Sequence, residues 1–591
     1  MDGSQLSDLR LQLSKQNVAG FLVPRADEHL GEYVPPSADR LAWLTGFTGS
    51  AGLAVALMDA ACLFVDGRYV LQAATQTDPA LWQRRHVTEQ PPAEWLAATA
   101  PGVAIGYDPW LLSEEQLARF TNAGCLMVPL DPNPIDVVWR DRPAPPMAPA
   151  VAHPLAFAGM AASEKIDQVA ATLRAAGQDA AVLSDPASIA WLLNIRGADI
   201  AFTPFALGFA LVGADAQVTL FMSPEKLAPP VRDWLGERVA IAGRAALPQA
   251  LSARHGQTVR VDAGNTPAWF AQTLRAAGAR VVAGMDPCLL PKACKNPVEQ
   301  QGARIAHGRD AIALCRFLAW LDVSAVGVSE MAAAAQLLAL RRDLADFRGE
   351  SFPAISAAGE HGAIMHYRVD AQSDRVIGAD ELYLIDSGAQ FGAGTTDVTR
   401  TIWTGPGTPP PPLRDRYTRV LKGHIAIATL VFPSGVTGAH LDSFARAALW
   451  QAGLDFDHGT GHGVGSYLSV HEGPVSLSRL ARPVPLAAGM VLSNEPGFYA
   501  PGGYGIRLEN LLLVTARPFP HPPESPESLR DFLAFETLTL APWDRRLINV
   551  AMLTQAEHDW LDQYHARVLA EIGGLLPDGD AKWLAAACAP L

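Results

Sequence analysis

The 591-residue chain is predicted to be an α/β (α+β) protein in three parts, two N-terminal α/β domains followed by a strand-rich domain that carries the chemistry. Three observations predict this. The length exceeds what one hydrophobic core serves. Apolar runs of strand length alternate with amphipathic stretches of helix length through the first half. In the last third, Asp386, Asp397, His462, Glu495 and Glu509 each sit in a glycine-rich or strand-like setting. Four carboxylates and an imidazole form a ligand set for a pair of divalent ions about 3.5–4 Å apart, and so point to hydrolysis by a metal-bound hydroxide.

Residues 6–16 have helical periodicity, and the apolar run 20–24 suits a buried strand. Runs 53–57 and 61–65 read as two more strands, Asp66-Gly67-Arg68-Tyr69 as a turn, and a helix begins near Val70. The Pro- and Ala-rich stretch 140–154 reads as a linker. The pattern then restarts: a helix over 163–176, a strand over 180–183, and a helix opened by Asp185-Pro186 and running through 187–193. Strands follow at 206–212 and 218–221, so an internal duplication is expected. After a boundary near 288–297, long helices cover 298–322 and 330–344, and the strand-rich region follows. The tail, 543–591, reads as helical, with Trp560, Leu561 and Trp583 as packing anchors.

Composition narrows the function classes. Apolar content of 49% with 18% charged residues is that of a folded protein. A formal charge of −14 disfavours nucleic acid, whose phosphates need basic surface. Residues 1–12 are acidic and polar, without the apolar core of a secretory signal. The apolar stretch 51–65 contains Asp59 and is too short to span a bilayer. The six scattered cysteines read as reduced thiols. The expectation is a cytoplasmic protein without nucleic-acid or membrane partners.

Within the site region, Leu382, Leu384 and Asp386 share one strand face, and Asp397, Thr399 and Thr401 share another. A hairpin between them places Asp386 and Asp397 nearly opposite, where two carboxylates repel unless a cation lies between. Residues 458–465 carry glycine at every second position, which no helix interior tolerates, so they form a tight loop presenting His458 and His462, with His471 close behind. A strand over 490–494 ends at Glu495-Pro496. A strand over 505–514 places Arg507 and Glu509 on one face.

In this order, with Asp397 eleven positions after Asp386, the five ligands resemble the signature of the pita-bread metallopeptidases, which include methionine aminopeptidase, prolidase and aminopeptidase P. Blocks 458–465, 470–474, 494–497 and 505–510 resemble those of the three-domain, cytoplasmic aminopeptidase P family. Residues 45–52, Asp66-Gly67-Arg68-Tyr69, Asn194-Ile195-Arg196-Gly197 and the terminal helices extend the likeness along the whole chain. The weaker fits are 201–204 and a Pro-rich insertion at 518–526.

The resemblance implies two creatinase-like domains (1–150 and 151–296), a pita-bread catalytic domain with a curved, mostly antiparallel sheet (297–540), and a helical extension (541–591). It implies that Asp386 holds one divalent ion, His462 and Glu495 the other, and that Asp397 and Glu509 bridge them. The metal implied is manganese, with zinc or cobalt as alternatives. Glu495 would also accept a proton, and His366 or His471 would stabilise the oxyanion. His458 and His471 would line the proline side or shuttle protons, with Arg507 and Tyr499 in support. The implied substrates are peptides with proline second, and the implied assembly is a homodimer formed through the N-terminal domains. The rivals are a prolidase acting on dipeptides, a metal-free creatinase-like enzyme, and an inactive peptide-binding module. Five intact ligands count against the last two.

Overall fold

The computed structural model describes residues 3–518 and 531–591. The expected insertion at 518–526 therefore lies, beyond Pro518, outside the described residues. The chain divides into two compact units, Met1–Leu289 and Leu290–Leu591.

The first unit contains two six-stranded sheets. One is built from β1 (Gly20–Pro24), β2 (Leu53–Leu57), β3 (Ala61–Val65), β4 (Gln83–His86), β5 (Ala104–Tyr107) and β6 (Leu126–Pro129), in the order β4-β3-β2-β1-β5-β6. The other uses β7 (Ala180–Leu183), β8 (Phe209–Gly213), β9 (Val218–Phe221), β10 (Val239–Ala242), β11 (Thr258–Val261) and β12 (Arg280–Ala283), in the order β10-β9-β8-β7-β11-β12. Strand for strand the two orders are the same, and so are the directions. In each, the central strand pairs antiparallel with its hairpin partner and parallel with the crossover strand. The outer pairs are parallel in both. This shared wiring agrees with the expected duplication. Asp185 accepts from the Ala187 N–H at 2.9 Å and starts helix Pro186–Leu193, as its position before proline suggests. The strand expected at 206–212 begins only at Phe209. The Leu207 N–H donates to Asp199 Oδ2 at 2.7 Å instead of entering the ladder.

Near the start of the second unit stands the 28-residue helix Pro297–Ser324, capped by Asn296 and Glu299, and helix Glu330–Arg342 follows. Every ladder described here is antiparallel. A three-stranded sheet joins β13 (Ile355–Ala358), β14 (Leu382–Ser387) and β15 (Val398–Trp403). A six-stranded sheet joins β16 (Val431–Pro433), β17 (Gly461–Gly463), β18 (Glu472–Leu477), β19 (Val491–Asn494), β22 (Asn510–Ala516) and β23 (Phe532–Thr537). A hairpin of β20 (Gly497–Ala500) and β21 (Tyr504–Arg507) stands beside them. Helix Pro411–Ala428 and the tail helix Gln555–Ile572 cover this region. Val420, Leu421, Trp543, Leu561, Tyr564 and Val568 share one core with Ile506 and Leu508. Among the described residues no helix is long and apolar enough to cross a membrane.

Four local expectations change. Asp386 faces Thr399 in the register, not Asp397, because β15 starts at Val398 and Gly394–Thr395 pairs in a different sheet. Asp397 is thus the diagonal neighbour, two residues back on the same side. The loop 458–465 holds a short strand, β17. The single strand expected over 505–514 is two, β21 and β22, broken at Leu508-Glu509. The strand expected over 490–494 starts one residue later, at Val491.

Candidate metal centre

Strand ends from both sheets bring the five residues together. Asp386 is the penultimate residue of β14, Asp397 precedes β15, His462 is the centre of β17, Glu495 follows β19, and Glu509 occupies the break between β21 and β22. Asp397, His462 and Glu509 offer ligand atoms that all lie within 4.8 Å of one another. His462 Nε2 is 3.4 Å from Asp397 Oδ2 and 3.5 Å from Glu495 Oε1.

The glycines around His462 are required by contact. A Cβ on Gly461 would lie 1.9 Å from the Ser493 carbonyl oxygen, and one on Gly463 would lie 2.2 Å from that of Glu472. Only bare backbone lets β17 lie this close to its neighbours. Gly461→Ala is therefore expected to displace His462 and lower turnover by about two orders of magnitude. Metal content after dialysis, together with the rate, checks it.

Hydrogen bonds aim the ligands. His462 Nδ1 donates to the Gly463 carbonyl at 2.9 Å, which leaves Nε2 facing the carboxylates. Ser493 Oγ accepts from the His462 N–H at 2.9 Å and donates to Glu495 Oε1 at 3.1 Å. Thr399 Oγ1 donates to Glu509 Oε2 at 2.7 Å. Arg507, 3% exposed, donates through Nη2 to Asp386 Oδ2 at 2.6 Å and through Nη1 to Tyr499 Oη at 2.8 Å. Tyr499 in turn donates to His458 Nε2 at 2.8 Å, because His458 Nδ1–H is spent on the Gly459 carbonyl at 2.7 Å. Arg507 Nη1 also reaches the Met365 carbonyl at 3.3 Å, one residue from half-buried His366. The His471 ring stands nearly perpendicular to that of His462, with centroids 4.3 Å apart.

The electrostatics call for cations. Burial, and then Asp397, Glu495 and Asp386, push Glu509 well above the usual carboxylate range. Burial also raises Asp386 and Glu495, with the neighbouring carboxylates adding to the rise and Arg507 opposing it. Burial alone would lower His462, but Asp397 and Glu495 hold it at about 9. Asp386 Oδ1 is buried with no hydrogen-bond partner among the described residues. Buried, mutually repelling carboxylates around an imidazole whose bonded Nδ1 aims Nε2 inward form a donor set that fits divalent ions.

The relatives agree with the geometry. Residues 301–516 match the model of metallopeptidase family M24 and 531–591 that of its C-terminal region, while 5–140 and 141–299 each match a creatinase/prolidase N-terminal domain. A protein of Coprinopsis cinerea named probable Xaa-Pro aminopeptidase P is 39% identical, over 99% of this chain and 98% of its own. One of Laccaria bicolor with the same name is 38% identical, over 99% and 93%. The chain belongs to metallopeptidase family M24. Among solved structures, the X-prolyl aminopeptidase of Caenorhabditis elegans, described as a cytosolic enzyme with a di-nuclear active site, superposes with a TM-score of 0.93. It shares 34% identity and covers 100% of this chain and 99% of its own. The Xaa-Pro dipeptidase of Bacillus anthracis, at 22% identity, a TM-score of 0.52 and 65% of this chain, shares the fold.

This M24 peptidase thus has the three-domain creatinase and pita-bread architecture that its sequence resembles. The sequence reading missed the hydroxyls of Thr399, Thr401 and Ser493 and the guanidinium of Arg400. Thr401 Oγ1 accepts from the Arg507 N–H at 3.1 Å and donates to the Arg507 carbonyl at 3.0 Å. Arg400 Nη1 donates to the Glu509 carbonyl at 2.6 Å. The signal was present. Thr-Arg-Thr within an otherwise apolar strand puts polar groups where burial forces each to find a partner.

Proposed function

We infer that this M24 peptidase is an Xaa-Pro aminopeptidase that removes the first residue from peptides with proline second. The carrying observation is the full-length match to relatives named for that activity, joined to the intact carboxylate–imidazole cluster. Asp386, Asp397, His462, Glu495 and Glu509 would hold two divalent ions, and the oxygen-rich donor set suits manganese. Such ions supply Lewis acidity to the scissile carbonyl and a water acidic enough to attack at neutral pH.

The chain's own groups do the rest. Glu495, half-buried at the edge of the cluster, accepts the attacking water's proton and passes it to the departing proline nitrogen. His366 and His471 donate to the carbonyl oxygen as it gains charge. The Arg507–Tyr499–His458 chain fixes Asp386, and with Tyr499 on Nε2 and the Gly459 carbonyl on Nδ1 both ring nitrogens of His458 are engaged, which makes His458 a brace. A proline nitrogen has no hydrogen, so recognition must come from the ring and the free amino terminus. Cytoplasmic residence and a homodimer belong to the same proposal, the first supported by the likeness to the nematode enzyme, which is described as cytosolic.

The test is a substrate series. Arg-Pro-Pro peptides are expected to lose arginine, while Arg-Ala-Pro peptides stay intact. Cleavage confined to Xaa-Pro dipeptides would overturn the reading.

A further inference from the structure

His471 is followed directly in the chain by the centre of a buried ionic cluster, Glu472. Glu472 is 4% exposed, and its carboxylate lies between two ammonium groups that are themselves buried, Lys292 at 3% and Lys295 at 4%. Lys292 Nζ reaches Glu472 Oε2 at 3.1 Å, and Lys295 Nζ binds Oε1. The two lysines hold the carboxyl below its ordinary range against the opposing effect of burial. Three desolvated charges are costly, and well-packed apolar residues would give equal stability. A cluster of this kind therefore calls for a positional reason.

The geometry supplies one. Glu472 begins β18 and pairs with Gly463, next to His462. The clamp thus anchors the chain immediately after the bend at His471, whose ring stands nearly perpendicular to that of His462 with centroids 4.3 Å apart. The lysine side of the clamp is equally fixed. The Lys295 N–H donates to the Gly489 carbonyl at 2.9 Å, and the Lys295 carbonyl accepts from Gln300 Nε2 at 2.8 Å. A Cβ on Gly489 would lie 2.7 Å from that same carbonyl oxygen.

We propose that Lys292, Glu472 and Lys295 are positioning residues whose role is to hold His471 over the metal centre for its contact with substrate. This rests on the Xaa-Pro aminopeptidase reading, in which His471 contacts the reacting carbonyl. The test is a double-mutant cycle on the full-length, manganese-loaded enzyme: Glu472→Gln, His471→Ala and the double variant, followed by kcat and KM on an Xaa-Pro-Yaa peptide and by thermal unfolding. Glu472→Gln is expected to lower kcat about tenfold or more, with KM within about twofold, and to cost less than about twofold once His471 is alanine. Its thermal effect should be the same in both backgrounds. If Glu472→Gln does not fold, the same cycle with Lys292→Met, which keeps the Lys295 pair, decides by the same criteria. Equal kcat losses with and without His471, or a folded variant with unchanged kcat, would overturn the clamp. Wild-type enzyme that leaves Xaa-Pro-Yaa peptides uncut would overturn the parent reading instead.

Discussion

Removing divalent ions with a chelator is expected to abolish peptide hydrolysis and to leave a fold that weakens steadily as pH rises. Burial and crowding raise Glu509, Asp386 and Glu495 above the ordinary carboxylate range in the ion-free protein. A carboxyl with a higher pKa folded than unfolded keeps its proton longer in the native state, so stability declines as pH climbs out of that range. His462 acts in the same direction. Held at about 9, it contributes stability that is complete below the unfolded histidine range, near roughly 6.5, and is lost as pH rises to 9. The ion-free unfolding temperature should therefore fall between pH 5 and pH 9 by on the order of 5 °C. Manganese should flatten that slope, because a cation replaces the protons. Loading at neutral pH should also release protons, since His462 Nε2 cannot hold a proton and a metal together. Differential scanning fluorimetry across pH, with and without manganese, checks the slope. A flat or rising ion-free profile would contradict the assignment of these residues as ligands.

Arg400→Met is expected to destabilise the catalytic unit by roughly 3–5 kcal/mol and to lower activity with it. Arg400 is 1% exposed, and its guanidinium donates to the carbonyls of Thr399, Glu509, Ala541 and Pro542, to Asn510 Oδ1 and to the Tyr564 hydroxyl. Its carbon lies 3.7 Å from the Trp543 ring centroid. Methionine fills much of the volume but leaves buried carbonyl oxygens without donors, and each such loss is expensive. Because the Glu509 carbonyl is among them, the bridge between the tail helix and the metal centre loosens too. Denaturant titration, read against metal affinity of the folded fraction, separates the two effects. A variant with wild-type stability would show that the carbonyls find other donors.

Much of this was legible in the sequence because the chemistry is local. A glycine every second residue around His462 excludes a helix there, and the structure shows what the glycines are for: Gly461 and Gly463 lie against the carbonyls of Ser493 and Glu472. Strands 53–57, 61–65, 180–183 and 218–221 stood out as short apolar runs between turn residues, and the structure has the same limits for them. The partners of Asp386 and Asp397 were not legible. A hairpin drawn from chain order makes them face each other, whereas the residues between leave to pair with another sheet and slide the register by two. The break at Leu508-Glu509 was hidden because both flanks alternate as one strand would. The Glu472 clamp was invisible for a different reason. Its lysines lie 180 and 177 residues away, and nothing in the local pattern of Lys292 or Lys295 marks them as buried.

The repeated sheets of the first unit also bear on how the polypeptide avoids misassembly while it is being made. Two sheets with the same wiring offer four open edges, any of which could accept the wrong repeat or a neighbouring nascent chain. Three of them carry deterrents. Edge strand β4 places Arg84 and Arg85 in its middle, β6 ends in Pro129, and β12 begins with Arg280. The fourth, β10, reads Val-Ala-Ile-Ala with neither charge nor proline. It is the edge at which aggregation would start in any variant that slows folding of the second repeat, and the place where a single lysine would protect recombinant yield.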